Sequence, residues 1–135
     1  MGGPHVEKTK RKDLIYPEES YQIIGVLFEV YNEIGYGYQE KHYQRAVACR
    51  FRSMRLPFTE QVRVRIKFDK ERIGHYFLDF LVDQKIILEL KRGNYFSTKD
   101  IEQVYAYLRA TKLQLGIIAN ITSSGIIYKR ILNLY

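Results

Sequence analysis

The chain predicts an α/β fold: a mixed central β-sheet flanked by helices, with its elements in the order α-α-β-β-β-α-β-(β). Three observations carry this. Apolar residues recur at helical spacing in the first third of the chain and switch to period-two alternation in the middle. Ile86, Ile87, Leu88 and Leu90 make one strand strongly apolar, as a strand inside a sheet requires. A helix-patterned segment separates that strand from the next apolar one, so Lys85 to Leu115 forms a candidate right-handed parallel crossover.

Pro17-Glu18-Glu19 starts the first helix, with proline in the first turn and acids at the positive end of the dipole. Ile23, Ile24, Leu27, Val30, Tyr31 and Ile34 form its apolar face, and Gly35 and Gly37 stop it. A second helix runs from about Gln39 to Met54, with Tyr43, Ala46 and Val47 on its apolar side and Leu56-Pro57 after it. Val62 to Phe68 alternates cleanly, with Arg63, Arg65 and Lys67 on one face. Asp69 to Arg72 turns into a strand from Ile73 to Val82, and Asp83-Gln84, with or without Lys85, turns into the strand ending at Lys91. Ser97 or Thr98 caps a helix whose stripe is Ile101, Val104, Tyr105 and Leu108. Leu113 to Asn120 reads as a buried strand, and Ile126 to Leu134 as a last strand or short helix with Lys129 and Arg130 exposed.

At 135 residues and 46% hydrophobic content the chain is expected to form one domain over residues 16–135, behind a flexible basic arm over residues 1–15. That arm holds Lys8, Lys10, Arg11 and Lys12, and is either a phosphate contact or a solvated tail. No apolar run reaches the ~18 residues of a membrane helix, and no apolar signal region opens the chain. An intracellular protein with no membrane partner is therefore expected. Cys49, the single cysteine, excludes an internal disulfide, a four-cysteine iron–sulfur cluster and a cysteine-rich zinc site, and is expected to be packed on its helix. His5, His42 and His75 form no zinc-hydrolase pattern; His75 shares strand parity with Asp79 and is expected to be either exposed or flanking the substrate. A net charge of +7 is compatible with a polyanionic partner.

The chemistry concentrates at Asp79, Glu89 and Lys91. Glu89 and Lys91 share one face of the apolar strand, where charges are costly unless they pair with each other, a metal or a substrate. With Asp79 alongside, two carboxylates can hold Mg²⁺ or Mn²⁺, and the lysine can stabilise an attacking hydroxide or the charge developing on a phosphate. The pattern suits a metal-dependent phosphodiesterase. The hairpin register decides whether Asp79 joins: an odd loop places it opposite Glu89, whereas a two-residue turn places it opposite Leu88 on the wrong face. No glycine marks the turn, and both registers remain open.

Asp79 followed by Glu89-x-Lys91 resembles the PD-(D/E)XK nuclease superfamily, with Leu78 standing where its name has proline. Gly37 to Tyr43 reads G-x-x-E-x-x-Y, the signature of the small GxxExxY family within it, and Gln103 to Tyr107 reads Q-x-x-x-Y, as in RecB-like and exonuclease-like members. The resemblance runs from about Tyr16 to Leu134. It implies a restriction-endonuclease-like core and a nuclease acting on nucleic acid, DNA more readily than RNA. It implies a metal held by Asp79, Glu89 and Glu40, with Lys91 at the attacking water and Gln103 and Tyr107 at the phosphate or at Lys91. By itself Glu40 reads as a cap at its helix start, and Gln103 with Tyr107 as a solvated polar pair. Arg92 is a candidate phosphate clamp. Arg63, Arg65 and Lys67 are either a nucleic-acid contact or an exposed edge strand. Two rivals remain: a silent nucleic-acid-binding module on a nuclease fold, and a partner-binding protein in which Asp79, Glu89 and Lys91 form a buried ion cluster. A homodimer is also left open, because the chain is short for gripping a duplex alone.

Overall fold

The computed structural model of the protein describes residues 15–134, so all but the last residue of the expected N-terminal arm lies outside the described residues. Helix α1 spans Pro17–Ile34 and stops at Gly35, whose φ of 74° lies in the left-handed region and whose N–H donates to the Tyr31 carbonyl. Helix α2 spans Glu40–Ser53. Its Tyr43 hydroxyl donates to the Gly35 carbonyl at 2.6 Å and accepts the Tyr38 N–H at 3.4 Å. The turn between the helices is thereby fastened from the first turn of α2.

Strands β1 (Phe58–Phe68), β2 (Glu71–Val82), β3 (Ile86–Arg92), β4 (Leu115–Thr122) and β5 (Gly125–Leu132) lie side by side in chain order. All neighbours are antiparallel except β3 and β4, which are parallel and joined through helix α3 (Thr98–Thr111). This is the expected order, and the last element is a strand. Ser97 caps α3 by accepting the Asp100 N–H.

The sheet divides the core. Helices α1 and α2 pack Ile23, Leu27, Val47 and Phe51 against Phe80, Leu88, Leu90 and Ile117. Helix α3 packs Val104, Tyr107 and Leu108 against Leu78, Ile87, Ile118 and Ile131 on the other side. Gly116 of β4 permits this approach: a Cβ there would stand 2.7 Å from Val104 Cγ1.

The β1–β2 ladder shifts register between Ile66 and Lys67, and strand alternation breaks again nearer the site. Phe58 packs on the α1–α2 side and Val62 on the α3 side, although they share parity; Phe80 and Leu78 divide in the same way. Between the pairs Glu60↔Phe80 and Val62↔Leu78, the position of Gln61 and Asp79 is missing from the ladder, and Gln61 has φ 50°. Both strands change face there, and the distal half of the hairpin packs over α3.

Four expectations are corrected. The α3 stripe includes Tyr107, which is buried, while Tyr105 is exposed, because α3 is covered by the hairpin as well as the sheet. Tyr107 is therefore not half of a solvated polar pair. Cys49 is exposed. Arg130 is half-buried and donates to the Ile15 carbonyl. His75 is exposed, as the first of its two readings had it, and lies edge-on to Phe77; only its shared parity with Asp79 is undone, by the break at Asp79. Among the described residues no helix is long and apolar enough to cross a membrane.

Candidate active site

The β2–β3 pairs are Val82↔Ile86, Leu81↔Ile87 and Phe80↔Leu88, so the loop is the three residues Asp83-Gln84-Lys85. Asp83 and Gln84 turn it without glycine, both in the left-handed region, at φ 51° and 58°. Of the two open registers this is the one that brings Asp79 to the level of Glu89.

The ladder ends at Phe80↔Leu88, and side chains bridge the strands beyond it. Glu89 Oε2 accepts the Asp79 N–H at 2.7 Å, and Asp79 Oδ2 accepts the Leu90 N–H at 2.9 Å. Each carboxylate thus takes a backbone donor of the opposite strand, a charge-assisted substitute for the missing ladder bonds. Tyr76 donates its hydroxyl to Glu89 Oε1 at 3.0 Å. The Tyr76 ring stacks on Tyr107 of α3, with centroids 4.1 Å apart and planes 17° apart.

Glu89 is 2% exposed. Its burial, then the charge of Asp79, push its pKa up to about 7, against the pull of the Asp79 N–H, the Tyr76 hydroxyl and Lys91. Burial also raises Asp79; the Leu90 N–H opposes this, the Glu40 charge adds to it, and Lys91 lowers it. Burial and the neighbouring Glu89 raise the Tyr76 phenol as well, keeping it a donor. Among the described residues neither Asp79 nor Glu89 forms an ion pair. Lys91 is half-buried on the face of Glu89 and acts on both acids through its field. A closed Asp–Glu–Lys ion cluster is therefore not formed.

Glu40, the first residue of α2, accepts the Arg92 N–H at 3.1 Å, docking the helix start onto the end of β3 beside Lys91. Its charge reaches Asp79. Among the described residues, however, no three His, Cys, Asp or Glu side chains converge on one metal-sized point. Gln103 lies half-buried one turn before Tyr107 on α3. The Arg92 guanidinium sits over the Tyr36 ring at 4.7 Å. The loop after β3 is held by Asn120, whose Nδ2 donates to the carbonyls of Gly93 (3.3 Å) and Tyr95 (2.7 Å). Arg63, Arg65 and Lys67 are exposed on β1, and Arg63 lies over the Phe77 ring.

Sequence reasoning did not find Tyr76 or Asn120. Tyr76 lies three positions before Asp79, which places them on opposite faces of a regular strand; the change of face at Asp79 unites them. Asn120 follows an apolar run, and its register partner is Lys91. That parallel pairing is the one signal that would have pointed to it.

The donor set suits a hard divalent cation. Two neighbouring carboxylates, Glu89 buried and Asp79 half-buried, with no ion pair among the described residues, are relieved by positive charge between them, and the Leu90 carbonyl is a third oxygen of the right kind.

An aspartate strand, a glutamate-x-lysine strand and a parallel crossover beneath a covering helix define a restriction-endonuclease-like core. A family model of the PD-(D/E)XK nuclease superfamily matches residues 17–131, and the chain belongs to that superfamily. Among solved structures, the protein SSO0001 is similar with a TM-score of 0.52 and 15% identity, over 69% of this chain and 49% of that one. The alkaline exonuclease LHK-Exo from Laribacter hongkongensis is similar with a TM-score of 0.50 and 14% identity, over 69% of this chain and 54% of that one. The chain thus spans about half the length of each. A search of curated proteins finds no significant match.

Proposed function

We propose that the protein is a metal-dependent nuclease that hydrolyses phosphodiesters of nucleic acid, DNA in preference to RNA. The observation that carries this is the reciprocal Asp79–Glu89 pair without a counter-cation, with Lys91 on the same face. Asp79, Glu89 and the Leu90 carbonyl would hold Mg²⁺ or Mn²⁺, with Glu40 joining directly or through water. The cation would supply Lewis-acid activation of water and neutralise charge on the phosphate. Lys91 holds a fixed positive charge at the same face and orients the attacking water. Arg92 clamps a phosphate, while Gln103 and Tyr107 line the α3 side of the site. Arg63, Arg65 and Lys67 track the backbone of the bound strand.

The preference for DNA rests on the superfamily resemblance alone, and the exonuclease among the fold neighbours supports only the nuclease reading. Assignment to the GxxExxY branch rests on Gly37, Glu40 and Tyr43, of which Glu40 and Tyr43 make the contacts that dock α2 onto β3 and its preceding turn. A second copy of the chain is the natural means of gripping a duplex. One observation favours a second reading, a nucleic-acid-binding module without catalysis: Glu40 is engaged by the Arg92 N–H, and among the described residues no third carboxylate joins the pair.

The test is cleavage of labelled single-stranded, duplex and branched DNA and of RNA with Mg²⁺ or Mn²⁺. Wild type is compared with Asp79→Asn and Lys91→Ala. Metal-dependent cutting that both substitutions abolish is expected. Salt-sensitive binding without cutting by folded protein establishes the second reading instead.

A further inference from the structure

We propose that Tyr76 is a positioning residue for the cation-binding pair: its hydroxyl, braced by the ring of Tyr107, fixes the orientation of the Glu89 carboxylate toward Asp79. This inference rests on the proposed metal site and goes beyond it, because Tyr76 belongs to none of the motifs by which the site was recognised.

The terminal torsion of a glutamate is broad and roughly two-fold, so one hydrogen bond does not hold the carboxylate plane. Glu89 has two bonds, one at each oxygen: the Asp79 N–H at Oε2 and the Tyr76 hydroxyl at Oε1. Together they set the plane. Each oxygen keeps a further lone pair, since a carboxylate offers about four acceptor sites. Asp79 is tied at Oδ2 alone.

Tyr76 is in turn held. Its ring lies against Tyr107, which is buried together with Val104 and Leu108, the residues that close onto Gly116. The orientation of a carboxylate on β3 is thereby set by α3, through two stacked tyrosines. Supporting donors of this kind typically contribute 10–100-fold to metal affinity. Tyr76→Phe removes the hydroxyl and keeps the ring, so the stack and the core survive.

The test measures Mn²⁺ binding by calorimetry and by the electron-spin signal of free Mn²⁺, at alkaline pH where Glu89 carries no proton. Wild type, Tyr76→Phe, Tyr107→Leu and Glu89→Gln are compared, with melting of the metal-free proteins as the folding control. Tyr76→Phe is expected to bind Mn²⁺ about 10–100-fold more weakly, while the metal-free protein still melts in one cooperative transition, lowered by the lost hydrogen bond to Glu89. In the cleavage assay the Mn²⁺ needed for half-maximal rate rises by the same factor, excess Mn²⁺ restores the rate, and KM for nucleic acid is unchanged. Tyr107→Leu keeps the hydroxyl but loses the brace, and should lose affinity in the same direction by less. Equal binding by wild type and Tyr76→Phe, with Glu89→Gln deficient, overturns the role of Tyr76 alone. No Mn²⁺ binding by wild type overturns this inference together with the metal site.

Discussion

Glu89 occupies a costly position, and its cost depends on pH. Its folded-state pKa, up to about 7, exceeds the ordinary value of 4.5, so between those values the folded protein holds a proton that the unfolded chain has released. Without metal, the contribution of this group to stability should be fully present below about pH 4.5 and be lost as pH rises to about 7, by up to about 3 kcal/mol. Urea titrations of metal-free protein across that range measure it. Glu89→Gln should flatten the slope, because the amide has no proton to release. A divalent cation supplies the missing positive charge, so Mn²⁺ should stabilise wild type most at the alkaline end and leave Glu89→Gln unmoved.

Among the elements, α3 and the start of α2 carry the site's geometry without supplying its carboxylate pair. Helix α3 reaches the sheet through Gly116, and Gly116→Ala would drive a Cβ into stiff Val104. A loss of about 1–3 kcal/mol in chemical denaturation is expected, with weaker Mn²⁺ binding as Tyr107 and Tyr76 shift. At the other end, Tyr43→Phe removes a hydroxyl that serves both Gly35 and Tyr38. It should cost about 1 kcal/mol, and it loosens the turn before Glu40 without touching the Asp79–Glu89 pair. Mn²⁺ affinity measured alongside stability should separate the two elements: affected by Gly116→Ala, little changed in Tyr43→Phe.

The whole molecule carries 22 Lys and Arg against 15 Asp and Glu, and Arg63, Arg65 and Lys67 among them are exposed along β1, beyond the Gln61 position that lies level with Asp79. Nucleic-acid affinity should therefore fall steeply with salt. The double substitution Arg63→Gln, Arg65→Gln should weaken binding across sequences and lower the log–log salt slope by about two, one per lost phosphate contact. Fluorescence anisotropy at several salt concentrations reads both. An unchanged slope would mean that β1 is a solvated edge kept basic against strand pairing.

The order of elements, the buried β3 strand, the parallel crossover and the residues Asp79, Glu89 and Lys91 were legible in the sequence, because each rests on local periodicity or on an unusual charge in an apolar run. The hairpin register was not, since Asp83 and Gln84 turn the chain in the left-handed region where no glycine advertises it. Neither was the face of Tyr76, because the change of face at Gln61 and Asp79 comes from two strands leaving their ladder together, and alternation counted along one strand passes over it. Burial of Tyr107 required α3 to be covered from two sides at once. Local pattern determined which groups the candidate site brings together; the meeting of α3, the hairpin and β3 decided how they are held, because that depends on pairings between residues far apart in the chain.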